Sequence, residues 1–205
     1  MGRALTVKDV LGKKHKTFPF QGAWADAFAQ PEKSGIWFIW GRSGNGKTSF
    51  VMQLIKELMK YDRVLFDSLE EGDSLTMQDK IVRYGLNNAG SRLHLLNAEG
   101  MNDLTDRLEK RKSYNIVVID SFQYTQMSYK DYIKFKERNK SKLIIFISHA
   151  SGTNPKGGAA EGVMYDATLK IWVEGFKAFS KGRFIGPTGE YTIWDEGAER
   201  YWGAK

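Results

Sequence analysis

The sequence contains no cysteine, only four prolines and no long apolar run. Without cysteine there are no disulfides and no thiolate metal sites such as zinc ribbons, so any metal ion must bind oxygen or imidazole ligands. No segment approaches the roughly 18–20 consecutive apolar residues that cross a bilayer, and the amino-terminal segment lacks the apolar core of a secretory signal. We therefore expect a soluble, cytoplasmic protein with no membrane partner.

Core-forming residues, by contrast, are plentiful. The 205 residues are 41% hydrophobic and include six Trp, nine Tyr and twelve Phe. This length suits one well-packed domain and is short for two domains with a linker. Because the residue pattern changes at Gly35, we expect an amino-terminal arm, 1–34, packed on a single core that spans 35–205.

Positive charge is concentrated in two regions of the chain, whose formal net charge is +7. Residues 1–60 carry ten Lys/Arg against four Asp/Glu, and residues 121–157 carry seven against two. Two basic regions favour a polyanionic partner, although a solvated surface gives the same counts.

Apolar runs alternate with segments of helical periodicity along most of the chain. A short apolar run at 36–40 ends in a Gly-rich turn, which predicts a strand buried on both faces, and apolar residues then recur at helical spacing from Phe50 to Leu58. Further strands are predicted at 64–68, 93–96, 116–119 and 143–147, and helices near Ser74, at 102–112 and at 129–138. Three alternating segments between 167 and 194, divided by glycine turns, predict antiparallel strands. The fold class is therefore α/β, with a mostly parallel central sheet flanked by helices and antiparallel strands at its C-terminal edge.

The Gly-rich turn matches the phosphate-loop pattern at every fixed position. Its glycines let successive N–H groups point at phosphate oxygens, Lys47 reaches the β and γ phosphates, and Thr48 ligates magnesium. The loop lies between a predicted strand and a predicted helix, which is the context this motif requires. It predicts binding of ATP with Mg²⁺ by Gly41, Arg42, Ser43, Gly44, Asn45, Gly46, Lys47, Thr48 and Ser49.

Acidic residues follow two of the predicted strands. Asp120 closes the apolar strand at 116–119 and is a candidate second magnesium ligand, although an Asp in this place can also cap a helix. Glu70 and Glu71 follow the strand at 64–68, where a carboxylate could orient or deprotonate the water that attacks the γ phosphate. Strand ends are often acidic, so the residues alone leave the catalytic base open.

Taken in order, these features resemble the RecA-like P-loop ATPases, a group that contains strand-exchange recombinases, hexameric replicative helicases and clock-type ATPases. Ser68-Leu69-Glu70 resembles the Ser-Leu-Glu of replicative helicases, whose Glu is the catalytic base. The Glu70-Glu71 tandem is similar to the paired glutamates of clock-type ATPases. The resemblance implies that Glu70 is the base and that Glu71 supports it.

Two further segments extend the resemblance. The apolar strand at 143–147 is followed by His149, at the position that senses the γ phosphate in this family and passes its state to the loop that follows. Lys181 and Arg183, before a Gly-Pro-Thr-Gly turn, resemble the cations that reach a neighbouring subunit's ATP in replicative helicases. Phe184 and Ile185 stand where that family has a single Asn. The resemblance implies self-association into a ring or filament.

Two regions are candidates for contact with DNA. Residues 151–162 form a polar, Gly-rich segment that predicts a binding loop, and the resemblance implies that it contacts DNA, with Lys156 as a basic residue. The helix at 129–138 interleaves cations such as Lys130 and Lys134 with aromatic residues, which suits single-stranded nucleic acid but also an ordinary amphipathic helix.

Together these features favour an ATPase that acts on DNA, preferentially single-stranded, as a helicase-like or recombinase-like oligomer with DNA-stimulated hydrolysis. Three alternatives remain open. One is a regulatory or scaffolding ATPase of clock type that does not bind DNA, and another is a nucleotide-binding filament accessory that scarcely hydrolyses ATP. The third, a small-molecule phosphotransferase, fits the Gly-rich loop and the antiparallel edge poorly.

Overall fold

The computed structural model describes residues 3–203 and consists of strands alternating with helices. The strands are β1 (Gly35–Gly41), β2 (Val64–Ser68), β3 (Leu93–Asn97), β4 (Ile116–Asp120), β5 (Leu143–Ser151), β6 (Asn154–Pro155), β7 (Leu169–Glu174), β8 (Lys177–Ser180) and β9 (Glu190–Thr192). The helices are α1 (Val7–Leu11), α2 (Ala23–Phe28), α3 (Lys47–Leu58), α4 (Leu75–Arg83), α5 (Met101–Glu109), α6 (Tyr129–Arg138), α7 (Gly158–Asp166) and α8 (Asp195–Trp202). None of the helices within 3–203 has the length and apolar character that a membrane span requires.

The strands form one sheet in the order β3-β2-β4-β5-β1-β7-β8-β9, with β6 folded back on the end of β5. Pairing is parallel from β3 to β7 and antiparallel from β7 to β9. β1 is central because both of its faces are apolar: Phe38 and Trp40 belong to one core layer, and Trp37 and Ile39 to the other. The predicted fold class is confirmed.

Helices cover both faces of the sheet. On one face, α3 buries Phe50, Leu54 and Leu58 in the same layer as Trp37. On the other face, α5, α6 and α7 bury a second apolar layer against Phe38 and Phe146. The parallel strands therefore all end at one edge, and the loops that follow them meet there.

The segment at 151–162 differs most from its prediction as a loop. Strand β5 continues to Ser151, turns back through β6, and is followed by helix α7 from Gly158. Glycines near the helix start weaken the local helical signal, but Ala160, Val163 and Met164 are buried at helical spacing against the sheet. Burial of this face outweighs the low helix propensity, so the exposed loop is confined to the β5–β6 hairpin and the residues up to α7.

The amino-terminal arm has two parts with different surroundings. Residues 3–16, including α1, are exposed, whereas Phe18, Phe20 and Phe28 are buried against the core. The carboxyl end of α2 accepts hydrogen bonds from the turn at 186–189: the N–H groups of Thr188 and Gly189 donate to the carbonyl oxygen of Asp26, at 3.0 and 3.1 Å. The Gly-Pro-Thr-Gly turn thus holds the arm on the sheet.

This contact predicts that Gly186→Ala destabilises the protein. A Cβ at position 186 would lie 2.1 Å from the carbonyl oxygen of Ala25 and 2.3 Å from that of Asp26, so backbone must shift. We expect a loss of about 1–3 kcal/mol, typical of overpacking, seen as a lower melting temperature in a thermal unfolding scan. Gly100→Ala is the control, because nothing lies within 4 Å of an added Cβ there; equal melting temperatures for the two variants would contradict the contact.

Candidate nucleotide site

The phosphate loop joins β1 to α3 at the edge where the parallel strands end. Gly44 and Gly46 have φ values of +78° and +92°, a left-handed conformation that glycine adopts at little cost. Gly41 is required for close packing, since an added Cβ would lie 2.3 Å from the carbonyl oxygen of Val173. The backbone can therefore turn its N–H groups toward an anion beside Lys47 and Thr48, at the amino terminus of α3.

Side chains around the loop fix its shape in ways that its sequence does not reveal. The Asn45 side-chain oxygen accepts a hydrogen bond from the N–H of Gly175 (2.9 Å), and the Asn45 carbonyl accepts one from the N–H of Phe176 (3.1 Å). The Tyr84 hydroxyl donates to Ser49 Oγ at 2.6 Å. Two of the predicted nucleotide-binding residues thus also attach the loop to the β7–β8 turn and to the end of α4.

Not every predicted loop residue points toward the phosphate position. The Arg42 guanidinium Nε donates to the carbonyl oxygen of Gly152, at 3.4 Å, in the β5–β6 hairpin. Ser43 and Lys47 line the open cleft of the loop together with Gly44, Gly46, Thr48, Ser49 and Phe176. The aromatic ring of Phe176 bounds this cleft and was not foreseen from the sequence.

Asp120 lies at the same edge because of the register of the sheet. It pairs with Ser68 on β2 and with Ile147 on β5, so the ends of these strands are level. Burial and the charge of Glu70 raise the pKa of Asp120 to about 6, against the opposing effect of Lys47. Burial also lowers the pKa of Lys47, and the carboxylates of Asp120 and Glu70 oppose that shift.

These donors suit magnesium carried by a nucleotide better than a free metal ion. Within residues 3–203 no group of three or more His, Cys, Asp or Glu side chains could hold a metal. Magnesium in nucleotide sites is held by one or two protein oxygens, by phosphate oxygens and by water. The Thr48 hydroxyl and the Asp120 carboxylate are the hard oxygen ligands that such a complex needs.

The structure separates the two glutamates that follow β2. The N–H groups of Leu69 and Glu70 donate to the carbonyl oxygen of Asp120, at 2.6 and 3.1 Å, which fixes this turn beside β4. The Glu70 carboxylate then lies 3.1 Å from His149 Nε2. Glu71 points elsewhere, since both of its oxygens accept hydrogen bonds from Lys80 at 2.5 Å.

His149 is linked to a residue that sequence reasoning missed. Its N–H donates to Gln123 Oε1 at 3.2 Å, and the Gln123 amide nitrogen donates to Ser148 Oγ at 2.8 Å and to the carbonyl oxygen of Lys156 at 2.9 Å. Gln123 lies in the short 3₁₀ turn that follows β4. Nothing in the local sequence distinguishes it from the other glutamine of that turn, Gln126.

Lys181 and Arg183 lie at the opposite edge of the sheet from the phosphate loop. The Lys181 N–H donates to the carbonyl oxygen of Lys170, and the Arg183 N–H donates to that of Thr168. Val173 is the residue level with Gly41, so Lys181 is displaced by three residues along β7, about 10 Å, and Arg183 by five, about 17 Å. Both side chains are exposed, and they lie on a different edge from the nucleotide site of their own chain.

The candidate DNA contacts fall into two sets. Lys156 is exposed and follows β6, and its N–H donates to the carbonyl oxygen of His149 at 2.9 Å. Lys130 and Lys134 are exposed on α6, but the neighbouring aromatic residues Tyr132 and Phe135 are buried. Those two rings pack in the core and cannot stack on bases, so α6 has the ordinary amphipathic pattern.

No protein-family model matches the chain, and no curated protein matches it. Three solved structures are similar to it. One is the ATPase domain of a replicative helicase (TM-score 0.52, 14% identity, 77% of this chain and 78% of that chain). Another is the flagellar accessory protein FlaH from Methanocaldococcus jannaschii (TM-score 0.60, 15% identity, 87% and 92%). The third is the ATP synthase subunit NeqB from Nanoarcheaum equitans (TM-score 0.59, 11% identity, 94% and 61%).

Proposed function

From the RecA-like P-loop ATPase fold of this chain, we propose that it hydrolyses ATP as the magnesium complex and that single-stranded DNA stimulates this hydrolysis. The observation that carries the proposal is the Glu70–His149 contact of 3.1 Å. It places a candidate base and a candidate phosphate sensor side by side, near the Lys47 ammonium and the Asp120 carboxylate.

Each side chain has a distinct task in the proposed hydrolysis. The loop N–H groups and Lys47 bind the phosphates and stabilise the charge that develops on them. Thr48 and Asp120 hold magnesium, which neutralises phosphate charge when bound. Glu70 orients the attacking water and accepts its proton, and His149 donates to Glu70 or to the γ phosphate according to which is present.

The β5–β6 hairpin supports the DNA part of the proposal. It begins directly after His149, carries the exposed Lys156, and contains Gly152 and Gly157 in left-handed conformations, with φ values of +66° and +100°. Exposed glycine backbone with a cation can approach phosphates closely. The hairpin therefore lies where a bound strand would be felt at the γ-phosphate position.

The test is ATP hydrolysis with increasing single-stranded DNA at several salt concentrations. We expect several-fold stimulation in the wild type, and in Lys156→Ala a weaker apparent DNA affinity whose dependence on log salt concentration is smaller by about one. Lys110→Ala, at an exposed position after α5, is the charge-matched control and should resemble the wild type. Hydrolysis that is indifferent to DNA, with no DNA retained, would contradict the proposal.

A regulatory ATPase that acts through protein contacts is the second candidate. It is favoured by the fate of the second basic region, where Lys136 pairs with Asp166 at 2.6 Å and Arg138 pairs with Glu109 at 2.7 Å. Charges used within the chain are less available to phosphates. Robust hydrolysis without any response to DNA is the result that this candidate predicts.

A further inference from the structure

Gln123 connects three separate parts of the site. Its side-chain amide makes hydrogen bonds to Ser148 Oγ, to the N–H of His149 and to the carbonyl oxygen of Lys156. Both amide hydrogens and the amide oxygen are therefore in use. A turn that follows β4 is thereby joined to the end of β5 and to the residue after β6.

Burial makes this set of bonds costly to lose. The Ser148 side chain is fully buried, and its hydroxyl donates to the carbonyl oxygen of His149 at 3.0 Å. Without Gln123, that hydroxyl would lose a donor, and the His149 N–H would lose its acceptor in a half-buried position. Unpaired polar groups in such surroundings are unfavourable, so the chain has one well-defined arrangement here.

We propose that Gln123 is a positioning residue, through which the state of the Glu70–His149 pair determines the conformation of the β5–β6 hairpin. The path has few steps: Glu70 contacts the His149 ring, and Gln123 holds the His149 backbone and the Lys156 carbonyl together. A nucleotide that draws Glu70 or His149 toward its γ phosphate then moves or stiffens residues 150–157. The inference rests on the proposed function in taking the γ phosphate to lie beside this pair.

The test compares hydrogen exchange at the amides of residues 150–157 with and without a saturating non-hydrolysable ATP analogue and magnesium. In the wild type we expect the analogue to slow exchange on the order of tenfold. In Gln123→Met, which has a similar size but no amide, exchange should change by less than about twofold although the analogue still binds. A purely structural role would lower stability without removing this response.

Gln126→Met is the matched control, because Gln126 is exposed in the same turn and lines the same open groove as Gln123 and Lys156. It should keep the wild-type response. If Gln123→Met folds poorly, Gln123→Glu serves instead, since it retains an acceptor for the His149 N–H and places a carboxylate against the Lys156 carbonyl. This variant should also lose the response.

Two outcomes overturn the inference: a hairpin that still responds in the folded Gln123 variants, or a wild-type hairpin that does not respond to a bound analogue. Neither depends on hydrolysis or on DNA. A protein that shows no stimulation by DNA but has a Gln123-dependent hairpin response would refute the proposed function and leave this inference standing.

Discussion

Glu70→Gln is expected to lower kcat for ATP hydrolysis by about 10²–10⁴-fold, the usual contribution of a general base. Glutamine keeps the shape of the side chain and can still contact His149, but it cannot take a proton from the attacking water. Binding of ATP should change little, because Lys47 and the loop N–H groups are intact. Steady-state kinetics together with a nucleotide-binding titration separate the two effects.

The neighbouring glutamate is the internal comparison. Glu71 forms its ion pair with Lys80, so Glu71→Gln should cost far less activity than Glu70→Gln. A similar loss in both variants would mean that the glutamates act as a pair, as the resemblance to clock-type ATPases implies. A large loss in Glu71→Gln alone would show that the base is assigned to the wrong residue.

Arg183→Ala is expected to lower turnover by about 10³–10⁵-fold, if the guanidinium completes a neighbour's site as arginine fingers do. The position of Arg183 at the edge of the sheet opposite the phosphate loop makes action on its own nucleotide unfavourable. Subunits carrying Lys47→Ala have a defective phosphate site but an intact Arg183. Mixing them with Arg183→Ala subunits should therefore restore part of the activity.

The mixing experiment distinguishes action between subunits from action within one. Activity that stays at the level of the separate variants, under conditions where the wild type is oligomeric, would show that Arg183 does not act across an interface. Mixing Arg183→Ala with a second portion of itself is the control for protein concentration. Lys181→Ala, tested in the same way, shows whether both cations take part.

The parts of the fold and site that could be predicted depend on local signals. The strands before the phosphate loop and before Asp120 are short apolar runs, and the loop is a contiguous pattern. Parallel strands end at one edge, so the order of the strands alone places Asp120, Glu70 and His149 near one another. Each of these inferences needs only the order of residues and the geometry of a sheet.

The remaining features depend on contacts between distant segments. Helix α7 forms despite its glycines because the sheet buries its apolar face. The separate surroundings of Glu70 and Glu71 are set by Lys80 and His149, and the role of Gln123 by the hairpin that it meets. Tyr132 and Phe135 look alike in the sequence whether they face solvent or the core, since α6 shows both faces of an amphipathic helix.

The clasp between α2 and the turn at 186–189 also constrains the order in which the chain assembles. Trp24 stacks on Tyr191, with ring centroids 4.3 Å apart, and Thr188 Oγ1 donates to the carbonyl oxygen of Asp26, a partner 162 residues away. Such non-local contacts raise contact order and form slowly. On the ribosome, the aromatic residues near the start of the chain wait for almost the last strand to emerge, exposed to chaperones and to one another until it does.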